Sequence, residues 1–414
     1  MNRSRNNIKA SWLHVSDLHV FPEADTTLML EDYKELAKII SPEFLVVTGD
    51  FRHKKYGTNF SLARNYLESM INIFSINKKD VFLLPGNHDV NYYDGRADAI
   101  SDICLHSEEG HYNAYSKYLL CNGFCDFNDF VSEFYRGADV TDSRIIEPSG
   151  VYCVVWNNLL NILIVNTALI SDGEEHNQIL DINALSQCQI DITLPSIMLG
   201  HHGIDSLYPC YEERVKSIID RRKISAYLHG DSHRYKKQPI LKISTPNSTL
   251  PSITCAKSAP QSGDSYSDIG VVYYEWRNDD NTYVQAYRWT QDGFVEDSTY
   301  YYKIDKRYYF PMIYKKDIVV NKTQPLYEQI KNIMNDHSVF MAGKWLKEAE
   351  NVWKASGHEG IGRCLLMFYC EKASNGNVSA YQQAQEIHRA LSQIPNHDAN
   401  TQEMLEITRR LIFQ

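Results

Sequence analysis

No stretch of this sequence stays apolar long enough to cross a bilayer, which takes about 20 such residues. A cysteine framework is also missing. The nine cysteines stand singly, an odd number without recurring spacing, which argues against a disulfide scaffold and fits a reducing compartment. Cys121 and Cys125 come nearest to a pair, and no second pair completes a zinc site. Positive charge is in deficit. A net charge of -10 leaves no broad basic face for generic nucleic-acid binding, although a local basic channel stays open. The first ten residues, MNRSRNNIKA, lack the basic–apolar–small order of a secretory leader, so the expected location is the cytoplasm, with no membrane partner. No period marks a repeat array.

The remaining composition, 43% apolar and 23% charged over 414 residues, is that of a globular chain with ample material for a core. Residues 12–16 (WLHVS), 44–48 (FLVVT) and 81–84 (VFLL) are short apolar runs of strand type. Between them, Leu28, Tyr33, Leu36, Ala37 and Ile40, then Leu62, Tyr66, Leu67, Met70, Ile73 and Phe74, recur at helical spacing. This βαβαβ series predicts an α/β fold with a parallel sheet and helices packed on it. Residues 91–146 are polar, aromatic and irregular, with helical stretches near 112–120 and 127–134, and read as an insertion over one end of the sheet. Strands resume at 153–156, 161–166, 196–200 and 225–229, and the turn RNDDN joins 270–276 to 282–289 as a hairpin. After Pro311 the pattern turns helical: Leu326, Ile330, Ile333 and Met334, then Trp345, Leu346, Ala349, Val352 and Trp353, then stripes at 361–369, 381–391 and 404–411. The expected organisation is one domain over 1–310, with the insertion at about 91–146, and an all-α domain of four or five helices over 318–414.

Polar clusters follow the strands. Asp17-Leu18-His19 follows the first, Gly49-Asp50 the second, and Gly86-Asn87-His88-Asp89 the third. His201-His202 and Gly230-Asp231-Ser232-His233 follow later ones. Open α/β sheets bind ligands beyond the carboxyl ends of their strands, so these groups converge on one rim. Aspartate and histidine suit divalent transition metals. Asp17 and His19, taken as alternating across an extended segment, point to the same side. A glycine before each of Asp50, Asn87, His201 and Asp231 allows close approach. Two ions about 3.5–4 Å apart suit phosphoryl displacement.

The string HVSDLH, then GD, GNHD, a later histidine and a final Gly-x-x-His resemble the calcineurin-like metallophosphoesterase superfamily over roughly residues 11–235, in particular its cyclic-nucleotide-phosphodiesterase-like bacterial branch. The resemblance implies a β-sandwich flanked by helices. It implies a first ion on Asp17, His19 and His233, Asp50 as bridge, and a second ion on Asn87 and His201. It implies His88 beside the phosphate, as proton donor or charge stabiliser. The family pattern ends Gly-His-x-His, whereas this chain has Asp231 at the penultimate place. Aspartate is a harder ligand, which turns that site toward manganese or magnesium, or leaves it weak; His229 is the other candidate ligand. The expected cofactors are two divalent ions, manganese first, with iron, zinc or magnesium as alternatives. Arg52, His53 and His202 are candidates to meet the substrate. His14, inside the first strand, reads as a core histidine, and His53, His106 and His111 as loop residues. Tyr92 and Tyr93 are placed to stack on a base or sugar.

Three functions follow from these residues. The first is a phosphodiesterase on a nucleotide-like ester. The second is a nuclease on DNA or RNA, recognisable by steep salt dependence. The third is a binding module that has lost activity through Asp231 and engages a protein partner, or itself, through the C-terminal helices.

Overall fold

The computed structural model describes residues 7–21, 26–53, 59–91, 95–105, 114–140, 150–171, 178–231, 240–245, 248–259, 269–297 and 308–313. Toward the C-terminus it describes 350–351, 353–354, 359–374 and 378–394, with 402, 405, 408 and 409. The chain forms two compact units, Met1–Lys315 and Lys316–Gln414.

In the first unit β1 (Ile8–Val15), β2 (Phe44–Thr48) and β3 (Val81–Leu84) pair in parallel, joined by α1 (Thr27–Leu36) and α2 (Ser61–Phe74). Helices α3 (Arg96–Leu105), α4 (Ala114–Asn122) and α5 (Cys125–Phe134) fill the expected insertion. A second sheet contains β4 (Val151–Trp156), β5 (Leu160–Val165), β6 (Ser196–Leu199) and β7 (Ile224–His229), with α6 (Ile182–Gln187) and α7 (Pro209–Arg222) along the way. The pair β8 (Ile240–Ser244) and β9 (Thr249–Thr254) completes it, in the order β4-β5-β6-β7-β9-β8. The chain then returns to the first sheet. There β10 (Gly270–Arg277) lies antiparallel to β1, followed by β11 (Asn281–Thr290) and β12 (Gly293–Glu296), while β13 (Tyr308–Pro311) pairs with β11.

The strands are apolar on both faces because each sheet is covered twice. Period-two alternation sends Trp12, Phe44, Val46, Phe82 and Leu84 of the first sheet, and Leu160, Ile162, Ile164, Ile197 and Leu228 of the second, into one shared core. The alternate residues Leu13, Val15, Leu45, Val47 and Leu83 face α1, α2 and α5. Leu163, Val165, Met198 and Tyr227 face α6 and α7 on the other side. The result is the α/β sandwich flanked by helices. Trp12 stacks between Phe44 and Tyr274, centroids 5.2 and 4.8 Å away, each contact worth about 0.5–1.5 kcal/mol beyond its buried area.

Some expectations shift. Leu28 and Leu62 are exposed, and Met29 and Ala63 turn inward instead, so the first residue of each stripe departs while Tyr33, Leu36, Ile40, Tyr66, Leu67, Met70 and Phe74 are buried as expected. The parallel sheet is mixed, because β10 joins it from far along the chain and local periodicity does not carry strand order. In the second unit α8 (Glu359–Ser374) and α9 (Val378–Ser392) pack Leu365, Leu366 and Tyr369 against Ala380, Ala384, Ile387 and Leu391, with Trp353 beside them. The stripe expected from Leu326 to Ala349 lies outside the described residues. Among the described residues no helix is long and apolar enough to cross a membrane.

Candidate metal centre

Beyond β1 the chain does not stay extended. Asp17 and His19 have φ of 50° and 42°, Asp50 57° and Asp231 65°. Asp17 and His19 therefore do not share a side by strand alternation, and Asp231 is not in an extended turn: left-handed turns, not pleat, aim these side chains. Nine described non-glycine residues have positive φ, and four are candidate ligands, so backbone strain of about 1–3 kcal/mol each gathers at this rim. Cross-strand bonds sustain it. Asp17 N–H donates to the Gly49 carbonyl (3.0 Å), His19 N–H to that of Asp50 (2.8 Å), and Val20 N–H to that of Phe51 (3.0 Å). Gly49 has φ 95°, and a Cβ there would lie 2.6 Å from both Gly86 N and His201 Nδ1, so only glycine fits.

The Asp50 carboxylate is fully buried at the centre. His19 Nε2 lies 3.4 Å and His201 Nε2 3.5 Å from its Oδ2, and the His88 backbone N–H donates to Oδ1 (2.8 Å). His19 Nε2 is 3.9 Å from Asp17 Oδ1, and Asp17 Oδ2 accepts the Asp231 N–H (3.2 Å). His201 Nδ1 meets the Thr48 carbonyl at 2.6 Å; a carbonyl only accepts, so Nδ1 donates and Nε2 faces the carboxylates. Three groups hold ligand atoms within 4.8 Å of one another: Asp17, Asp50 and His201; His19, Asp50 and His88; His201, His202 and Asp231.

This donor set fits a cation. The Asn87 amide oxygen lies 2.9 Å from His201 Nε2 and faces both Asp50 carboxylate oxygens; with the amide reversed, its nitrogen would donate to them at 3.1 and 3.2 Å. Two acceptors facing each other repel unless the amide turns over or a positive charge sits among them. Burial alone pushes Asp50 upward, but the imidazoles of His201 and His19 outweigh it and hold its carboxyl well below the usual range. Burial pulls His201 down, yet Asp50, Asp17 and Asp231 hold it well above the ordinary histidine value. Both directions express the same demand for positive charge among buried carboxylates.

The other candidates are distributed as follows. His88 is partly exposed, its ring edge-on to that of His19 at 4.5 Å. Arg52 is buried; its guanidinium donates to Asn91 Oδ1 (2.6 Å) and the Val90 carbonyl (3.4 Å) and stacks over Phe60 at 4.8 Å. His202 is buried beside His201, and burial with the His201 charge pulls it down to about 4. His229 contacts the Gly230 carbonyl and Thr254 Oγ1 through its two ring nitrogens and belongs to none of the three groups. His14 is a core residue, 2.9 Å from Thr48 Oγ1, lowered to about 3 by burial and by His229. His233, Tyr92, Tyr93, His106 and His111 lie outside the described residues.

Sequence reasoning missed two participants, Asp89 and Thr167. Asp89 accepts the N–H groups of Gly86 (2.9 Å), Phe51 (3.0 Å) and Arg52 (3.3 Å), tying the rims of β2 and β3 together; burial and the Asp50 charge push it up to about 7. Its place beside His88 was the available signal. His53, already a candidate beside Arg52, stands in the loop with its ring 5.5 Å from that of His88 and 5.7 Å from that of His19. Thr167 accepts the backbone N–H groups of His201 and His202, and nothing in its sequence neighbourhood marks it.

Residues 11–235 match the profile of the calcineurin-like phosphoesterase family. The chain belongs to that family. Among known proteins it is similar to the uncharacterized metallophosphoesterase-like protein YydB of Bacillus subtilis (strain 168), 26% identical over 244 residues. That alignment covers 55% of this chain and 49% of YydB, so the match spans about half of the relative's length. Among solved structures it is similar to purple acid phosphatase PPD1 from yellow lupin (Lupinus luteus) seeds, with TM-score 0.46 and 12% identity, covering 75% of this chain and 55% of that one. Another is Vacuolar Protein Sorting 29 from Cryptosporidium parvum, with TM-score 0.33 and 10% identity, covering 73% of this chain and 99% of that one. The calcineurin-like phosphoesterase profile runs from the strand before Asp17 through Gly230 and Asp231, and so spans every group of candidate ligands.

Proposed function

We propose that this calcineurin-like chain is a metal-dependent phosphodiesterase acting on a nucleotide-like ester through two divalent ions. The observation that carries the reading is the buried Asp50 carboxylate, shared by two overlapping groups of ligand atoms, as a bridge between two cations must be. Asp17, His19 and His233 would hold one ion, and Asn87, His201 and Asp231 the other, with Asp50 common to both. When bound, the ions supply an activated water and neutralise the phosphate. His88, anchored through its backbone to Asp50 and partly open to solvent, donates a proton to the leaving oxygen or stabilises its charge. With its guanidinium held by residues 90–91, Arg52 is better read as a brace of the rim than as a substrate contact.

Asp231 tunes both metal and substrate. A carboxylate in place of an imidazole raises the share of oxygen donors and favours manganese or magnesium over zinc. It also adds negative charge near the phosphate, which penalises a dianionic monoester more than a singly charged diester. The net charge of -10 argues against a long polyanionic substrate. We read residues 1–310 as the catalytic domain and 318–414 as a helical domain open to a protein partner or self-association, in a cytoplasmic protein.

The test is a titration of metal-free protein with manganese, followed by turnover of an aryl phosphodiester and the matching monoester. The expected result is about two ions per chain and a higher kcat/KM for the diester. Absence of stoichiometric metal and of turnover on both esters would overturn the reading; preference for the monoester would overturn its diester part. Turnover confined to DNA or RNA and abolished by salt would establish a nuclease instead.

A further inference from the structure

We propose that Thr167 is a positioning residue that sets the tautomer of His202, making it an Nε2–H donor to a phosphoryl oxygen of the substrate. The inference rests on the phosphoesterase reading for its ligand, but not for its geometry. Thr167, two residues beyond β5, is buried. Its hydroxyl oxygen accepts the backbone N–H groups of His201 at 3.1 Å and His202 at 3.0 Å. A threonine hydroxyl has two lone pairs and one hydrogen, so both lone pairs are occupied. The third contact, 3.1 Å to His202 Nδ1, therefore falls to the O–H, and Nδ1 must accept. The ring proton of His202 then resides on Nε2.

His201 is set the opposite way. Its Nδ1 faces the Thr48 carbonyl and must donate, which leaves Nε2 for a cation. Two adjacent imidazoles thus acquire opposite roles, one a ligand and the other a donor. Their rings stand edge-on at 4.8 Å, and a ring nitrogen of His202 lies within 4.8 Å of ligand atoms on His201 and Asp231. With Nδ1 taken by Thr167, Nε2 is the nitrogen left to serve an anionic oxygen held beside the ion site. The surroundings keep Thr167 in place. Asn166 Oδ1 accepts the Ala168 N–H at 2.9 Å, and the buried Arg96 donates to the carbonyls of Leu169 and Ser171.

The experiment is long-range ¹H–¹⁵N spectroscopy of the full chain with ¹⁵N-labelled histidine, first without metal and then with magnesium and inorganic phosphate. His202 should be in the Nε2–H form in the wild type and in Thr167→Ser, and should lose that preference in Thr167→Val. Phosphate should shift the His202 Nε2 signal. In turnover, Thr167→Val should raise KM about 3- to 10-fold, the value of one hydrogen bond, with a smaller change in kcat, and Thr167→Ser should restore it. A wild-type His202 in the Nδ1–H form overturns the proposal without any variant, as does a Thr167→Val protein with unchanged tautomer and KM. A His202 signal that ignores phosphate overturns the assigned ligand. Failure to bind metal or turn over any ester would sink the phosphoesterase reading and leave the tautomer result standing.

Discussion

Gly86→Ala isolates close approach from backbone freedom. Gly86 has φ -106° and ψ -174°, a conformation open to any residue, so alanine adds no torsional cost there. The whole effect comes from one methyl. Its carbon would lie 2.1 Å from Asp50 Oδ1, 2.6 Å from Asp50 N and 2.7 Å from His201 Cε1. Asp50 is fully buried and held by the His88 N–H, so the carboxylate must rotate or the β3 rim must retreat. Overpacking of this kind costs about 1–3 kcal/mol, and a domain somewhat smaller than this one loses about 2–4 °C of Tm for each kcal/mol. Displacing the groups around a ligand lowers metal affinity about 10- to 100-fold. Calorimetric melting of the metal-free protein and isothermal titration with manganese read the two effects separately. Gly49→Ala should be worse on both, because its φ of 95° adds strain to a similar clash. A Gly86→Ala protein with wild-type melting and manganese affinity would refute the placement of Asp50 against the β3 rim.

The division of roles predicts that Asp50→Asn lowers metal content and abolishes turnover, whereas His88→Ala keeps its metal and slows the chemical step about 10²–10⁴-fold; elemental analysis beside kcat distinguishes them, and loss of metal in His88→Ala would contradict the assignment. Asp231→Ala should lose the second ion in a manganese titration, and Asp231→His should tolerate zinc and narrow the diester preference; unchanged stoichiometry and manganese dependence in Asp231→Ala would remove Asp231 from the ligand set. His14 is lowered from 6.5 to about 3, so below pH 6.5 the unfolded chain takes up a proton that the fold refuses. Its contribution is full above pH 6.5 and is lost by about 1.4 kcal/mol per pH unit down to about 3. Urea unfolding of metal-free wild type and His14→Gln at pH 7.5 and 5 should show the wild type losing more; parallel losses would contradict a neutral buried His14.

The rhythm of strand followed by ligand was legible in the sequence because it is local. Short apolar runs end at Ser16, Thr48 and Leu84, and parallel strands bring their carboxyl ends to one rim whatever lies between. Asp17, His19, Asp50, Asn87, His88 and His201 were therefore readable as neighbours, and the helical pattern of α8 and α9 was equally local. Tertiary structure decided what depends on contacts between distant segments. The aim of Asp17 and His19 comes from left-handed turns held by the rim of β2, not from strand alternation. Arg52 is drawn to residues 90–91, His53 is brought against His88, and Asp89 reaches back across 35 residues or more to the amides of Phe51 and Arg52. Thr167 acquires its role only when β5 and β6 lie side by side, since a hydroxyl's donor and acceptor assignments depend on every partner that reaches it. Residue type and spacing set which side chains meet at the rim; hydrogen bonds between strands far apart in sequence set the direction and protonation of each.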